Sequence, residues 1–179
     1  MANNKSVEDT YSKMSQREHI YKIPDTYMGS VKSQLMDMWV YDNGKIIKKN
    51  ILFNPGFFKI IDEILMNARD RFYVDGETCK TINIAISDNI FDIYNDGNGI
   101  PIEIHKKYNV YVPQLVFTEL LTSSNYNENE IRFTGGKNGY GAKLTNIFST
   151  SFSVEVVNNN KKFTINCFKN MEIIDNPII

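Results

Sequence analysis

The chain has 179 residues, of which 42% are hydrophobic and 12% aromatic, and this suits a single domain with one core. A net charge of −1 argues against a generally basic nucleic-acid binder, and two isolated cysteines, Cys79 and Cys167, exclude a disulfide scaffold. Because no apolar run approaches the roughly 20 residues that span a bilayer and the N-terminus is polar, we expect a soluble, intracellular protein without a membrane partner.

The first half of the chain predicts an arm, a hairpin and a long helix. Residues 1–18 are polar and typical of an arm. Residues 36–53, MDMWVYDNGKIIKKNILF, predict two strands around an Asp-Asn-Gly turn. Pro55 and Gly56 then introduce the strongest helix signal of the chain, FFKIIDEILMNARDRF over residues 57–72.

The predicted helix has an apolar face and a polar face. Its apolar residues follow the spacing of a buried stripe: Phe57, Ile61, Ile64, Leu65, Ala68 and Phe72. On the other side, Glu63, Asn67 and Asp70 fall within a narrow arc. Such an arc is also typical of an ordinary solvated surface. The chemical alternative is that Glu63 acts as a general base on a water molecule while Asn67 gives a neutral oxygen ligand to Mg²⁺.

The second half alternates strands with short helices. Residues 81–95 predict two strands around an Asp88-Asn89 turn, and a short helix is expected from about residue 113 to residue 121. After a polar loop, GAKLTNIFS predicts a helix beginning at Gly141, and residues 151–168 predict a closing hairpin. Because the strands pair mostly with their sequence neighbours, the predicted class is α+β, a sheet with helices packed on one face.

Two glycine-rich segments are the candidate ligand loops. Asp96-Gly97-Asn98-Gly99 is either a simple turn or a strand end whose carboxylate accepts a hydrogen bond from an exocyclic amine such as that of adenine. Residues 134–144, TGGKNGYGAKL, match neither the Walker loop nor the dinucleotide fingerprint. They are either a flexible surface loop or a phosphate cradle of glycine amides with charge from Lys137 and Lys143.

The order E-x-x-x-N, D-x-G-x-G, G-G-x-x-G-x-G resembles the GHKL nucleotide-binding fold. More narrowly, REHIYKIPDTYMGS, FFKIIDEILMNARD, YVPQLVFTELLTSSNY and TGGKNGYGAKLTNIFST resemble the ATPase region of eukaryotic-type, type IIA DNA topoisomerase II. The resemblance implies a two-layer sandwich with a mixed, mostly antiparallel sheet and helices on one face, incomplete at its C-terminal end. Residues 1–20 would be an N-terminal arm and residues 21–179 the ATP-binding domain.

The resemblance also assigns roles to individual residues. Glu63 would be the general base, Asn67 the Mg²⁺ ligand and an ATP contact, and Asp96 the acceptor for the adenine amine. Arg71 departs from the family, which commonly has an asparagine there, and it either reaches a phosphate or faces solvent. The other residues that the resemblance places around ATP are Asp70, Ser123, Ser124, Asn125, Lys137, Asn138, Gly139, Tyr140, Gly141, Ala142 and Lys143.

The function implied by the resemblance is ATP-driven closure of a dimer gate coupled to DNA strand passage. The partners would be ATP, a second copy of the chain, the transducer and cleavage core of the topoisomerase, and DNA through the complete enzyme. The alternative is a non-catalytic nucleotide-binding or dimerisation fragment that needs a companion chain for turnover. The location would be the nucleus of a eukaryote, or the host cell or virion of a virus.

Overall fold

The computed structural model describes residues 6–122 and 139–179. The helices are α1 (Val7–Thr10), α2 (Gln16–Lys22), α3 (Asp25–Met28), α4 (Pro55–Asp75), α5 (Val112–Thr118) and α6 (Gly141–Ile147), and a 3₁₀ turn at Gly76–Thr78 follows α4. The strands are β1 (Gln34–Asp42), β2 (Lys45–Phe53), β3 (Ile82–Ser87), β4 (Ile90–Asn95), β5 (Ile104–His105), β6 (Val110–Tyr111), β7 (Ser151–Asn158), β8 (Lys161–Phe168) and β9 (Ile173–Ile174).

The strands pair with their sequence neighbours, as predicted, and the α+β class is confirmed. The ladders in the described residues are β1–β2, β3–β4, β5–β6 and β7–β8–β9, and each of them is antiparallel. The one sheet expected from the sequence is therefore hydrogen-bonded as four separate ladders in this part of the chain. Across residues 6–122 and 139–179, no helix has the length and apolarity needed to cross a membrane.

Two predicted hairpins form with the turn chemistry that the sequence indicates. Asn43 and Gly44 join β1 to β2 with φ of 48° and 82°, and Asn159 and Asn160 join β7 to β8 with φ of 48° and 60°. Positive φ at both central residues matches the right-handed twist of the flanking strands, and asparagine and glycine tolerate it. The β7–β8 hairpin buries one face, which contributes Val154, Val156, Phe163 and Ile165 to a core cluster with Ile102.

Helix α4 is longer than predicted, and its buried stripe differs from the expected one. The helix begins after Asn54, whose side-chain oxygen accepts a hydrogen bond from the Phe57 amide, as an N-cap does. Its buried residues are Gly56, Ile60 and Ala68. The prediction that Phe57 and Phe72 are buried is wrong, since they are 54% and 51% exposed. The ring of Phe57 packs edge-on against Phe91 and leaves its other side in solvent.

Helix α2 forms where the sequence predicts the end of an arm. Ser15 and Glu18 make a capping box that starts the helix, and Ile20 is fully buried. Arg17 fastens α2 to the C-terminal part of the chain, because its Nε donates to the Asn170 carbonyl at 2.8 Å. The core cluster on this side joins α2, α3, α4 and α6 through Ile20, Met28, Ile60, Leu144, Ile147 and Met171. This cluster holds α6 against α4, and the candidate site lies along α4.

Candidate functional site

Glu63 lies on α4 against the first residue of α6. Its Oε1 is 2.5 Å from Lys59 Nζ, and its side chain is 21% exposed. On the other side of the carboxylate, a methyl group at Gly141 would overlap Glu63 Oε2, so only glycine leaves room for the carboxylate in this position. The hydrogen bond to Glu63 raises the pKa of the Lys59 ammonium. The interpretation as an ordinary solvated surface therefore fails for Glu63, which is recessed between two elements.

Packing between α4 and α6 places Gly141 at Glu63. Leu144 and Ile147 of α6 belong to the same core cluster as Ile60 of α4. One turn along α6 from Gly141, Thr145 Oγ1 donates a hydrogen bond to the Ile60 carbonyl at 2.6 Å. These contacts fix the distance between the two helices, and the glycine end of α6 therefore closes on the Glu63 carboxylate.

Asn67 and Asp70 lie on the same side of α4 and are partly buried. Asp70 is 14% exposed, and its Oδ1 is 3.7 Å from Arg69 Nη1. Within residues 6–122 and 139–179, the side-chain amide of Asn67 makes no hydrogen bond to another residue. In this part of the chain, nothing therefore competes with a ligand for its oxygen. In residues 6–122 and 139–179, no group of three or more His, Cys, Asp or Glu side chains could hold a metal ion alone. Asn67 fits Mg²⁺ only in the role of one neutral ligand, with phosphate and water oxygens as the others.

Asp96 is fixed at the end of β4 by backbone amides. Its Oδ1 accepts hydrogen bonds from the amides of Lys80 at 2.7 Å and Thr81 at 2.8 Å. The hydrogen bond from the Thr81 amide is the largest of the effects that lower the pKa of the Asp96 carboxyl. Asp96 is therefore an ionised acceptor, and a carboxylate has capacity for further hydrogen bonds beyond these two.

Arg71 adopts an arrangement that neither sequence-based interpretation anticipated. Its guanidinium bonds both oxygens of Asp75, one turn further along α4, with Nε to Oδ2 at 3.1 Å. The side chains of Arg71 and Asp75 are 24% and 5% exposed. Asp75 is a functional candidate that sequence reasoning missed, although its i,i+4 spacing from Arg71 is the signal that could have found the pair.

The glycine stretch enters α6 through residues that are tied to the rest of the fold. Gly139 has φ of 70°, which favours glycine. The Tyr140 hydroxyl accepts a hydrogen bond from Gln16 Nε2 at 2.8 Å, and its ring packs edge-on against Tyr27 with centroids 5.5 Å apart. Tyr140, the residue directly before α6, thus contacts both α2 and α3.

Ala142 and Lys143 are buried at the start of α6, with exposures of 4% and 3%. Lys143 Nζ donates a hydrogen bond to the Thr122 carbonyl at 2.9 Å. Burial lowers the pKa of the Lys143 ammonium to about 8, and the charge of Glu119 acts in the opposite direction. Ser123, Ser124, Asn125, Lys137 and Asn138, the other predicted ATP contacts, lie outside the described residues.

Helix α4 connects the Glu63 end of the candidate site to the Asp96–Gly99 loop. Glu63 lies near its N-terminal half against α6, and Asp75 ends the helix near the Asp96–Gly99 loop. The 12 positions from Glu63 to Asp75 correspond to about 18 Å along the helix axis. This length is comparable to that of an extended nucleoside triphosphate.

Comparisons with known proteins agree on one relationship. DNA topoisomerase 2 of Candida glabrata is 46% identical over 185 residues, which cover 100% of this chain and 13% of that protein. DNA topoisomerase 2 of Saccharomyces cerevisiae is 48% identical over 179 residues, covering 97% of this chain and 12% of that protein. The chain thus spans about one eighth of the length of these curated relatives. No protein-family model matches it.

Solved structures give the same result at the level of the fold. The ATPase region of S. cerevisiae topoisomerase II superposes with a TM-score of 0.91 at 48% identity, covering 95% of this chain and 46% of that one. The ATPase and transducer domains of DNA topoisomerase II from Balamuthia mandrillaris superpose with a TM-score of 0.93 at 41% identity, covering 97% of this chain and 46% of that one. At identities of 48% and 41%, the similarity to these structures extends from the fold to the sequence.

Proposed function

The chain is homologous along its whole length to the N-terminal ATPase region of eukaryotic DNA topoisomerase II, and on this basis we propose that it binds ATP with Mg²⁺. We assign to it the ATP-hydrolysing role in a type IIA topoisomerase, in which nucleotide turnover drives strand passage. The observation that carries the proposal is the position of Glu63, whose carboxylate meets the backbone at Gly141 with no room for a side chain between them.

In the proposed mechanism, Glu63 orients a water molecule toward the terminal phosphate and accepts its proton. Lys59 lies 2.5 Å from Oε1 and helps to orient the carboxylate, whose remaining acceptor positions can bind the water. The backbone at Gly139 and Gly141 can approach the phosphates closely because no Cβ intervenes. Glu63 thereby acts on the water from α4 while α6 presents backbone from the opposite side.

Asn67 and Asp96 would serve two other functions of the site, metal binding and base recognition. The Asn67 amide oxygen would be the protein ligand to Mg²⁺, and the ion supplies positive charge that offsets the phosphate oxygens. Asp96 would accept a hydrogen bond from the exocyclic amine of adenine, since two backbone amides keep it ionised and fixed. Neither task requires Glu63, so the base remains free for proton transfer.

Within a longer topoisomerase, two copies of this module would dimerise when ATP binds and close a gate around a DNA duplex. Residues 1–20 would cross to the second copy, and the transducer and cleavage core would transmit the closure to the DNA. This assignment is supported by homology, and under it the protein would work in the compartment that contains the DNA, either a nucleus or a viral host cell or virion.

The proposal is tested with Glu63→Gln, which keeps the size of the side chain but cannot accept the proton. We expect ATP affinity within about twofold of wild type and a fall in hydrolysis of about 10²- to 10⁴-fold, measured by phosphate release from radiolabelled ATP. Glu155→Gln, at an exposed pair on β7, is the matched control and should hydrolyse normally. Normal turnover by Glu63→Gln would remove the assigned base.

The same assay separates the catalytic module from a nucleotide-binding fragment that needs a companion chain. A fragment of that kind binds ATP with the same dependence on Asn67 and Asp96 but turns it over only after the companion is added. Brisk hydrolysis by the 179-residue chain alone would exclude the fragment. An absence of ATP binding by the wild-type chain would overturn the proposed function itself.

A further inference from the structure

The Asp75 carboxylate, at the last turn of α4, has three hydrogen bonds. Two come from Arg71, and the third comes from the backbone amide of Asn98, which donates to Oδ2 at 2.9 Å. Asp75 is only 5% exposed. Its contacts therefore join the end of α4 to a loop 23 residues further along the chain, rather than to solvent.

The loop that Asp75 holds is the one that contains Asp96. Gly97 has φ of 122°, and a Cβ there would lie 2.7 Å from Asp75 Oδ2 and 3.1 Å from the Cβ of Cys79. The backbone at Gly97 is therefore pressed directly onto the carboxylate, in a conformation that favours glycine. The direction in which the loop leaves Asp96 depends on where Asp75 lies.

Two further contacts fix the loop, one on each side of the Asp75 bond. On one side, the Lys80 and Thr81 amides hold the Asp96 carboxylate. On the other, Asn158 Nδ2 donates to the Asn98 carbonyl at 2.6 Å. Of the contacts described, the hydrogen bond to Asp75 is the one that fixes the position of the loop relative to α4, the helix that carries Glu63 and Asn67.

We infer that Asp75 is a positioning residue for base recognition, which sets the Asp96–Gly99 loop relative to α4 so that the loop distinguishes adenine from other bases. The inference rests on the proposed function, in which Asp96 accepts the adenine amine. Arg71 supports this positioning role, because its planar guanidinium bonds both oxygens of Asp75 and keeps Oδ2 directed at the Asn98 amide.

A loop held in this way contributes more to selectivity than to overall affinity. The triphosphate is bound elsewhere along α4 and α6, whereas the amine of adenine must meet Asp96 with hydrogen-bond geometry. If the loop shifts, ATP loses this hydrogen bond, but a nucleotide without the amine, such as ITP, loses nothing. Disturbing Asp75 should therefore reduce the preference for ATP over ITP.

The test compares Asp75→Ala and Asp75→Asn with wild type in the 179-residue chain. Affinities for ATP and ITP are measured by displacement of a fluorescent nucleotide, and hydrogen exchange is measured at the Asn98 amide. For Asp75→Ala we expect the ITP-to-ATP ratio of dissociation constants to fall about fivefold, with ITP affinity within about twofold of wild type. Exchange at Asn98 should accelerate at least about tenfold.

Asp75→Asn keeps an oxygen that can accept from Asn98, so it should recover part of the selectivity, and it decides the matter if the alanine variant does not fold. Asp92→Asn, an exposed carboxylate on β4, is the control and should behave as wild type. Equal losses of ATP and ITP affinity, or unchanged exchange at Asn98, would overturn the inference. The exchange measurement needs no nucleotide, so this failure is distinguishable from a failure of the proposed function.

Discussion

The two ends of α4 carry the same local motif and use it differently. Lys59 and Glu63 form an i,i+4 ion pair near the N-terminal end, and Arg71 and Asp75 form another near the C-terminal end. The Glu63 side chain is 21% exposed, whereas that of Asp75 is 5% exposed. Asp75 takes up three hydrogen bonds from protein donors, while the Glu63 carboxylate has Lys59 on one side and the bare backbone of Gly141 on the other.

The difference shows how one helix can hold both a structural carboxylate, Asp75, and the carboxylate that we propose as the base, Glu63. The three hydrogen bonds to Asp75 all come from protein donors, and they hold this carboxylate in one position. Glu63 has one partly exposed ion-pair partner, which leaves acceptor positions on its oxygens for a water molecule. Sequence spacing is identical for the two pairs, so the distinction arises only from what the fold brings against each of them.

Removing the cation at each end should give the largest contrast in stability. Arg71→Met leaves the buried Asp75 charge without its main partner, and we expect the free energy of unfolding to fall by about 3 kcal/mol. Lys59→Met breaks a pair whose side chains are 43% and 21% exposed, and we expect a change of about 0.5 kcal/mol or less. Urea denaturation of both variants at pH 7 measures the two costs. Equal costs would show that the two carboxylates are not in different environments.

The elements around the site could be predicted from the sequence where the signal is local. The Asn43-Gly44 turn and the long helix that begins at Pro55 follow from turn chemistry and from apolar periodicity, and both are confirmed. The capping box at Ser15 and Glu18 was an available signal for α2. The polar sequence over residues 1–18 predicts an arm there instead, because a seven-residue helix with one buried side chain has almost no periodicity.

Contacts between distant segments were not predictable in this way. The apolar pattern of α4 favours burial of Phe57, yet the structure buries Ile60, because α6 and α3 approach the helix from a slightly different direction. The bond from Asn98 to Asp75 and the overlap of Gly141 with Glu63 depend on the packing of whole elements. No local pattern encodes either of them, although the motifs do contain Glu63, Asn67 and Asp96, three of the residues that would contact ligand.

Lys143 offers a third environment for a buried charge, since in the part of the chain that the structure describes its ammonium donates one hydrogen bond, to the Thr122 carbonyl. Burial lowers its pKa from the usual 10.5 to about 8, so the unfolded chain binds more protons than the folded chain between these values. The buried Lys143 ammonium therefore lowers the free energy of unfolding at pH 7, and this penalty is removed as the pH rises above about 8.

The resulting expectation is a difference in pH dependence between wild type and Lys143→Met without nucleotide. From pH 7 to pH 10, the unfolding free energy of wild type should rise relative to that of the variant by about 2 kcal/mol. Denaturant titrations at each pH measure this difference, and groups common to both proteins cancel. If the unfolding free energies of the two proteins instead changed in parallel with pH, the Lys143 ammonium would have its ordinary pKa in the folded chain, and its burial would carry no electrostatic cost.

The smallest expected effect concerns the Glu63 end of α4. In Gly141→Ala, the new methyl group overlaps Glu63 Oε2, and the carboxylate must swing away because a flexible side chain yields more easily than two packed helices. Gly141 does not have a positive φ, so alanine fits its backbone and the unfolding free energy should change little. We expect hydrolysis to fall about tenfold with ATP affinity within about twofold of wild type, measured by phosphate release and nucleotide displacement. A parallel loss of affinity and hydrolysis would instead mean that Gly141 serves mainly to contact the phosphates, and unchanged hydrolysis would mean that the base does not depend on this contact.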